Sequence, residues 1–425
     1  MQTQTLPLGN AAEGFSLVTP AFKTTRVAVD VYLPLEKESA PAYYLLSLLM
    51  SDGCAAYPTP RALTERMEAL YGASLSVTAA KRGDSLVLAA SVVFVDDRFL
   101  PEPVFEEAVA LLREAVFRPA LDASGAFCEA DFRREQRMHK EYILGKLNDK
   151  RGYARDRCLA LLCEGEPYGL SETGTLEQAD ALTPAEVADA WRRAMREGFF
   201  RVSVLSPVER PGVFPAFERE LAAFDRAGAG RPAEDLVRPA RETVRRVDER
   251  MSVAQGKLCL GFRVGMTGGD DETAPVMVFA DMLGGGPYSR LFLNVREKES
   301  LCYYCVASAV RRKGVLMVDS GVEFANMERT EAAILRELAA MRRGDFTEED
   351  LAASKRALDS ALRAVCDSQA VTDRWYAERW FEKRRLSPAE MAERVKAVTR
   401  EEVVRAAESV APDVVYRLLG KEEAE

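Results

Sequence analysis

The sequence predicts a two-lobed protein of mixed strands and helices in which the second lobe repeats the first. Length is the first ground for this: 425 residues exceed one ordinary core, because a domain takes roughly 150 residues. A composition of 48% hydrophobic and 29% charged residues supplies apolar material for more than one core. Patterning is the second ground. Short β-branched runs at 26–34 and 87–96 read as strands, and between them Ala40–Met50 and Arg61–Tyr71 read as helices, the latter opened by Thr59-Pro60. The third ground is a fixed offset. Gly53 and Gly284, Leu70 and Leu301, and Gly83 and Gly314 each stand 231 residues apart, and three anchors at one spacing argue for a duplicated lobe.

The remaining segments fall into the same order. Helical spacing recurs at 103–117, 126–149 and 154–165, Leu182-Thr183-Pro184-Ala185-Glu186 opens a capped helix, and FRVSVLS at 200–206 closes the first half as a strand. From Pro207 to about Arg245 the chain turns rich in Pro, Gly and polar residues around a short helix at Phe217–Phe224, which marks a linker. The lobes are accordingly drawn as 1–228 and 229–425. The second half begins with a strand at Gly256–Val264 and a helix at Pro275–Leu283. A glycine turn, a charged helix at Ser289–Lys298 and a strand pair at 303–310 and 315–323 follow. LTPAEV at 182–187 is echoed by VTREEV at 398–403.

Charge and composition exclude several functions. The net charge of −9 comes with no Lys/Arg-rich block, so the electrostatic footprint of nucleic-acid binding is absent. The same acidity disfavours anionic membrane surfaces. The longest apolar run, Tyr43–Met50, is far short of a membrane span. The stretch MQTQTLPLGNAAEGF has neither a basic n-region nor an apolar h-region, so a cytoplasmic location is expected. Eight scattered cysteines read as reduced core thiols, and the Cys302/Cys305 pair lacks the second pair or the His that a zinc set needs. The glycine run Gly284–Gly286 lacks the Lys-Ser/Thr of a phosphate loop and reads as a tight turn.

Residues 283–305, LGGGPYSRLFLNVREKESLCYYC, resemble the C-terminal-lobe signature of the pitrilysin/insulinase metallopeptidase family, which includes the mitochondrial processing peptidases. GEPYGLSETGTLEQADALTPAEV in the first half is similar to the family's His/Glu-Pro-Tyr-Gly turn and following helix. The resemblance implies an α+β fold of two homologous lobes, each a β-sheet covered by helices, arranged as a clamshell. Active members carry HxxEH on a first-lobe helix, where two His one turn apart hold Zn²⁺ and the Glu activates water. Here that helix reads PAYYLLSLLMSDG, which puts Tyr44, Ser47 and Leu48 where His, Glu and His should stand. The family's third ligand falls near Glu141 or Tyr142. One His, His139, occurs in the whole chain, so a two-His zinc site cannot be built within one molecule. Set among Arg133, Arg134, Arg137 and Lys140, His139 itself reads as an exposed helix residue. No metal, no cofactor and no catalytic residue is therefore expected.

Arg296 and Tyr303 match the family element R-x-K-E-x-L-x-Y. The resemblance implies that they line the chamber wall and face substrate. Taken without it, an Arg/Tyr pair at this spacing reads as Arg296 bonded to Glu299 or Ser300 on a helix surface, with Tyr303 packed at a strand start. The function expected is a non-catalytic subunit that binds peptides and pairs with an HxxEH-bearing homologous subunit, or with a second copy as a homodimer. The alternatives are a scaffold without a proteolytic partner, and an active zinc metallopeptidase with an unorthodox site.

Overall fold

The computed structural model describes residues 2–9, 11–266 and 272–421. It divides into two units, Met1–Leu144 with Leu170–Glu234, and Gly145–Gly169 with Asp235–Glu425. Each unit is one sheet covered by helices, the α+β architecture expected.

The first unit starts with strands β1 (Gln2–Pro7), β2 (Ala12–Val18) and β3 (Thr24–Pro34), then helices α1 (Ala40–Asp52) and α2 (Pro60–Ala69). Strands β4 (Ser74–Arg82) and β5 (Ser85–Val95) precede helices α3 (Phe105–Phe117) and α4 (Glu129–Lys146). The next helix along the chain, α5 (Lys150–Leu162), belongs to the second unit. Helices α6 (Leu176–Ala181) and α7 (Pro184–Glu197), strand β6 (Phe199–Ser206) and helix α8 (Val213–Leu221) complete the first. The sheet order is β1-β2-β6-β3-β5-β4. Central β3 runs antiparallel to both β5 and β6 and is buried along most of its length, which is why it reads as a nearly continuous apolar run. Helix α1 begins with Pro41 in its first turn and buries residues all round, among them Tyr43, Leu45, Leu46, Leu49 and Met50. They join Val27, Val29 and Val31 of β3, Leu112 of α3, Val187 of α7 and Phe217 of α8 in one core.

The second unit contains β7 (Arg245–Met251), β8 (Gly256–Val264), α9 (Thr273–Gly284), β9 (Cys302–Val310) and β10 (Val315–Val322). Helices α10 (Met327–Arg342), α11 (Glu348–Ala364), α12 (Gln369–Glu378), α13 (Pro388–Ala397) and α14 (Arg400–Glu408) lead into the last strand, β11 (Val410–Gly420). Its sheet order is β7-β11-β8-β10-β9. Helix α5 packs here because its apolar side chains find their partners here: Cys158, Leu159 and Leu162 cluster with Cys259, Val315, Met317, Val414 and Tyr416.

The repeat is visible element by element. The order β3-α1-α2-β4-β5 recurs as β8-α9-helical segment-β9-β10. Gly53 follows α1 as Gly284 ends α9, and Gly83 and Gly314 both take left-handed φ, 59° and 56°, between paired strands. Thr183 and Thr399 each accept from the third helical N–H while Glu186 and Glu402 reach back, so both echoed hexapeptides are capping boxes.

The structure departs from the sequence reading in particular places. The stretch 145–169 packs with the second unit, not within 1–228. Part of the expected linker is α8, whose Phe214, Phe217 and Leu221 are core residues of the first unit. The charged helix expected at Ser289–Lys298 is wound as a π-helix over Leu291–Lys298, with the Glu299 N–H donating to the Asn294 carbonyl five residues back at 3.1 Å.

Candidate functional site

Tyr44, Ser47 and Leu48 lie on one face of α1, as positions three and four residues apart must. Ser47 is buried, and its hydroxyl donates to the Tyr44 carbonyl at 2.7 Å. Leu48 packs against the core of the first unit. The Tyr44 ring centre stands 4.6 Å from that of His139 and 5.5 Å from that of Tyr142, both on α4. Burial pushes the Tyr44 phenol up to about 12, with Tyr142 and Glu172 adding to it. The group is therefore a protonated phenol at neutral pH, with no anionic lone pair to offer a metal. Aromatic packing fills the α1–α4 junction, and Arg134 of α4 ties it further by donating to Asp52 at 2.5 Å.

His139 is not the exposed residue its charged neighbours suggest: none of it is exposed. Its Nε2 lies 2.8 Å from the Thr173 carbonyl. A carbonyl only accepts, so Nε2 carries the proton and is spent on that bond. The signal was the spacing of Phe132, Glu135, Gln136 and His139, which form the buried stripe of α4. Three of the four are polar, so a search for apolar periodicity passes over it. Of the candidates for the third ligand, Glu141 is exposed and Tyr142 is half-exposed and stacked on Tyr44. Among the described residues no group of three or more His, Cys, Asp or Glu is placed to hold a metal ion. The purified chain should accordingly contain no stoichiometric zinc. Elemental analysis checks this, and about one tightly held Zn per chain would contradict it.

In the second unit the structure brings Arg296 and Tyr303 together. Arg296 Nε donates to the Tyr303 carbonyl at 2.9 Å, its guanidinium lies 4.6 Å over the Phe292 ring, and Nη1 pairs with Glu297 at 3.0 Å. Glu299, the partner that spacing alone suggests, pairs instead with Arg336. Tyr303 is 59% exposed, and its hydroxyl donates to Glu323 at 3.2 Å, a bond to a carboxylate that raises the phenol pKa. Its exposure has a backbone cause. Val322 pairs with Cys302 while Gly321 pairs with Tyr304, so Tyr303 is the extra residue of a β-bulge, a device that re-aims a side chain. Beside it, a hydrogen bond from Cys305 holds the half-buried Cys302 thiol below its ordinary range.

Residues 181–358 match the family described as the peptidase M16 inactive domain. Over 411 residues, 96% of this chain and 95% of the relative, the sequence is 28% identical to a probable inactive metalloprotease, YmfF, of Bacillus subtilis. The chain is a homologue of M16-type peptidases. It is also 29% identical over 125 residues to the uncharacterized zinc protease YmxG of the same bacterium, covering 29% of this chain and 30% of that protein. A conserved protein from Enterococcus faecalis superposes over the whole of both chains with a TM-score of 0.92 at 27% identity. A peptidase M16 inactive domain from Pseudomonas fluorescens does so with a TM-score of 0.78 at 17% identity and shows the same fold. The M16 relationship bears out the resemblance carried by residues 283–305.

Sequence reasoning missed what the GEPYG segment does in this M16-type homologue. Glu166 is buried between two cations, accepting from Arg263 at 2.5 Å and pairing with Lys313 at 3.0 Å. Arg263 also reaches Asp413 at 3.2 Å, which accepts from Arg241 at 2.8 Å. One ionic network thus fastens the stretch after α5 and the segment before β7 to β8 and β11.

Proposed function

We propose that this chain is a cytoplasmic, non-catalytic peptidase-like subunit that binds extended peptides and pairs with an HxxEH-bearing homologue to form an active zinc protease. One observation carries the reading: the α1 face of Tyr44, Ser47 and Leu48 offers no metal ligand, yet a half-buried Arg296 is hydrogen-bonded to an exposed Tyr303. An arginine fork suits a peptide carbonyl or carboxylate, and a phenol O–H suits a developing oxyanion. A scaffold has no need of such a pair. A homodimer would bring together two copies of the same ligand-free helix, so the partner that completes the chemistry is a chain with its own HxxEH. Purification of the native protein from its own cells, with mass spectrometry of what accompanies it, tests this. The expected result is an HxxEH-bearing homologue in matching amount. Recovery of the chain with itself alone, or with proteins unrelated to peptidases, would favour the scaffold.

A further inference from the structure

The second unit has a pocket at one end of its sheet, where β7, β10 and β11 finish and β9 begins. It is a cavity of about 490 Å³ lined by Arg250, Arg329, Arg417 and Lys421, with Glu328 the one acidic residue on its wall among the described residues. Four cations against one anion among the described wall residues is a local reversal in a chain of net charge −9. Two of the cations are held in place. Arg417 makes a fork to Asp248 with both bonds at 2.7 Å, and Arg250 donates to the Gly420 carbonyl at 3.2 Å. Arg329 reaches no further than the Asn326 amide oxygen at 3.4 Å, and neither it nor Lys421 enters an ion pair among the described residues. The wall also includes the first turn of α10, whose unpaired N–H groups add partial positive charge.

The pocket has an apolar side as well. Phe324 is 44% exposed and lies against main chain, since a Cβ on Gly256 or Gly420 would come within 3.2 Å or 3.0 Å of its ring. Its chain neighbour, Glu323, is the residue that holds the Tyr303 hydroxyl. The pocket and the Arg296/Tyr303 pair therefore adjoin.

We propose that this pocket is a carboxylate subsite for the peptide held at Arg296 and Tyr303: Arg329 and Lys421 receive a carboxylate of the peptide, and Phe324 receives an apolar side chain next to it. The inference rests on the peptide-binding reading above and names the class of peptide. A C-terminal carboxylate and an Asp or Glu side chain present the same group, and arginine recognises either through charge-assisted bonds.

The test is fluorescence anisotropy on the full chain with an N-terminally labelled peptide ending in Phe-Glu. Its C-terminal amide, its Gln counterpart and the doubly changed, carboxylate-free peptide are measured beside it. The expected result is binding about tenfold or more weaker, some 1.4 kcal/mol, for the carboxylate-free peptide. The amide and the Gln peptide show which carboxylate is read. Arg329→Glu combined with Lys421→Glu, both at exposed positions, should erase the preference and leave binding of the carboxylate-free peptide unchanged. If all four peptides bind equally, the subsite is overturned while the peptide-binding reading stands. If none binds, both fall.

Discussion

Glu166→Gln should destabilise the second unit by about 3–5 kcal/mol, the usual cost of removing one partner from a buried ion pair. Glu166 has two cationic neighbours, and Lys313 and Arg263 are as buried as it is. Arg263 keeps Asp413 when the carboxylate is lost, whereas Lys313 loses a counter-charge that stands 3.0 Å away and keeps the Leu236 carbonyl to which it donates. A buried ammonium that loses such a neighbour has its desolvation less well compensated, which costs free energy. Natural domains are stable by only about 5–15 kcal/mol, so the change is large. Trp375 and Trp380 both lie in the second unit, and urea unfolding followed by their fluorescence reads it. Adding Lys313→Met to Glu166→Gln should restore part of the loss, because an apolar side chain needs no partner. An unchanged midpoint for Glu166→Gln would show that the network is not what fastens the stretch after α5 to β8.

Tyr303→Phe and Arg296→Ala should each lower cleavage by the chain reconstituted with the proposed HxxEH-bearing homologue about 10²-fold or more, the typical effect of losing one donor from a water-excluded site. Stability should hardly move. Tyr303 is more than half exposed, and surface changes of this kind stay within about 0.5 kcal/mol. Arg296→Ala also removes the bond that fixes the Tyr303 carbonyl, so it should disturb substrate positioning as well as charge. Normal cleavage by both variants would reduce the pair to surface packing and the chain to a scaffold.

Much of this was legible in the sequence because it lies in strong local patterns. The apolar run of β3, the capped starts at Thr59, Thr183 and Thr399, and the 231-residue spacing of glycines all follow from backbone needs that side-chain chemistry displays. Strand β1 went unread because QTQTLP is almost wholly exposed and carries no apolar alternation. The short helix read at Phe217–Phe224 is α8, which starts earlier, at Val213; its place in the core was hidden by the Pro/Gly-rich stretch around it, although Phe214, Phe217 and Leu221 keep helical spacing there. The placement of α5 was invisible for another reason: its partners lie on β8, β10 and β11, far along the chain, and nothing local says which sheet a helix will cover. The site divides the same way. Tyr44, Ser47 and Leu48 were readable as missing ligands, whereas the burial of His139 and the bulge that turns Tyr303 outward depend on tertiary contacts and on strand register.

The central claim is that this chain supplies binding surface and no metal chemistry of its own. Peptide cleavage with added zinc, by the chain alone, by the HxxEH-bearing homologue proposed as its partner alone and by the two mixed, tests that claim most directly. The account predicts no cleavage by the chain alone and full, chelator-sensitive cleavage only in the mixture. Chelator-sensitive cleavage by the chain alone, at a rate the partner does not raise, would contradict it.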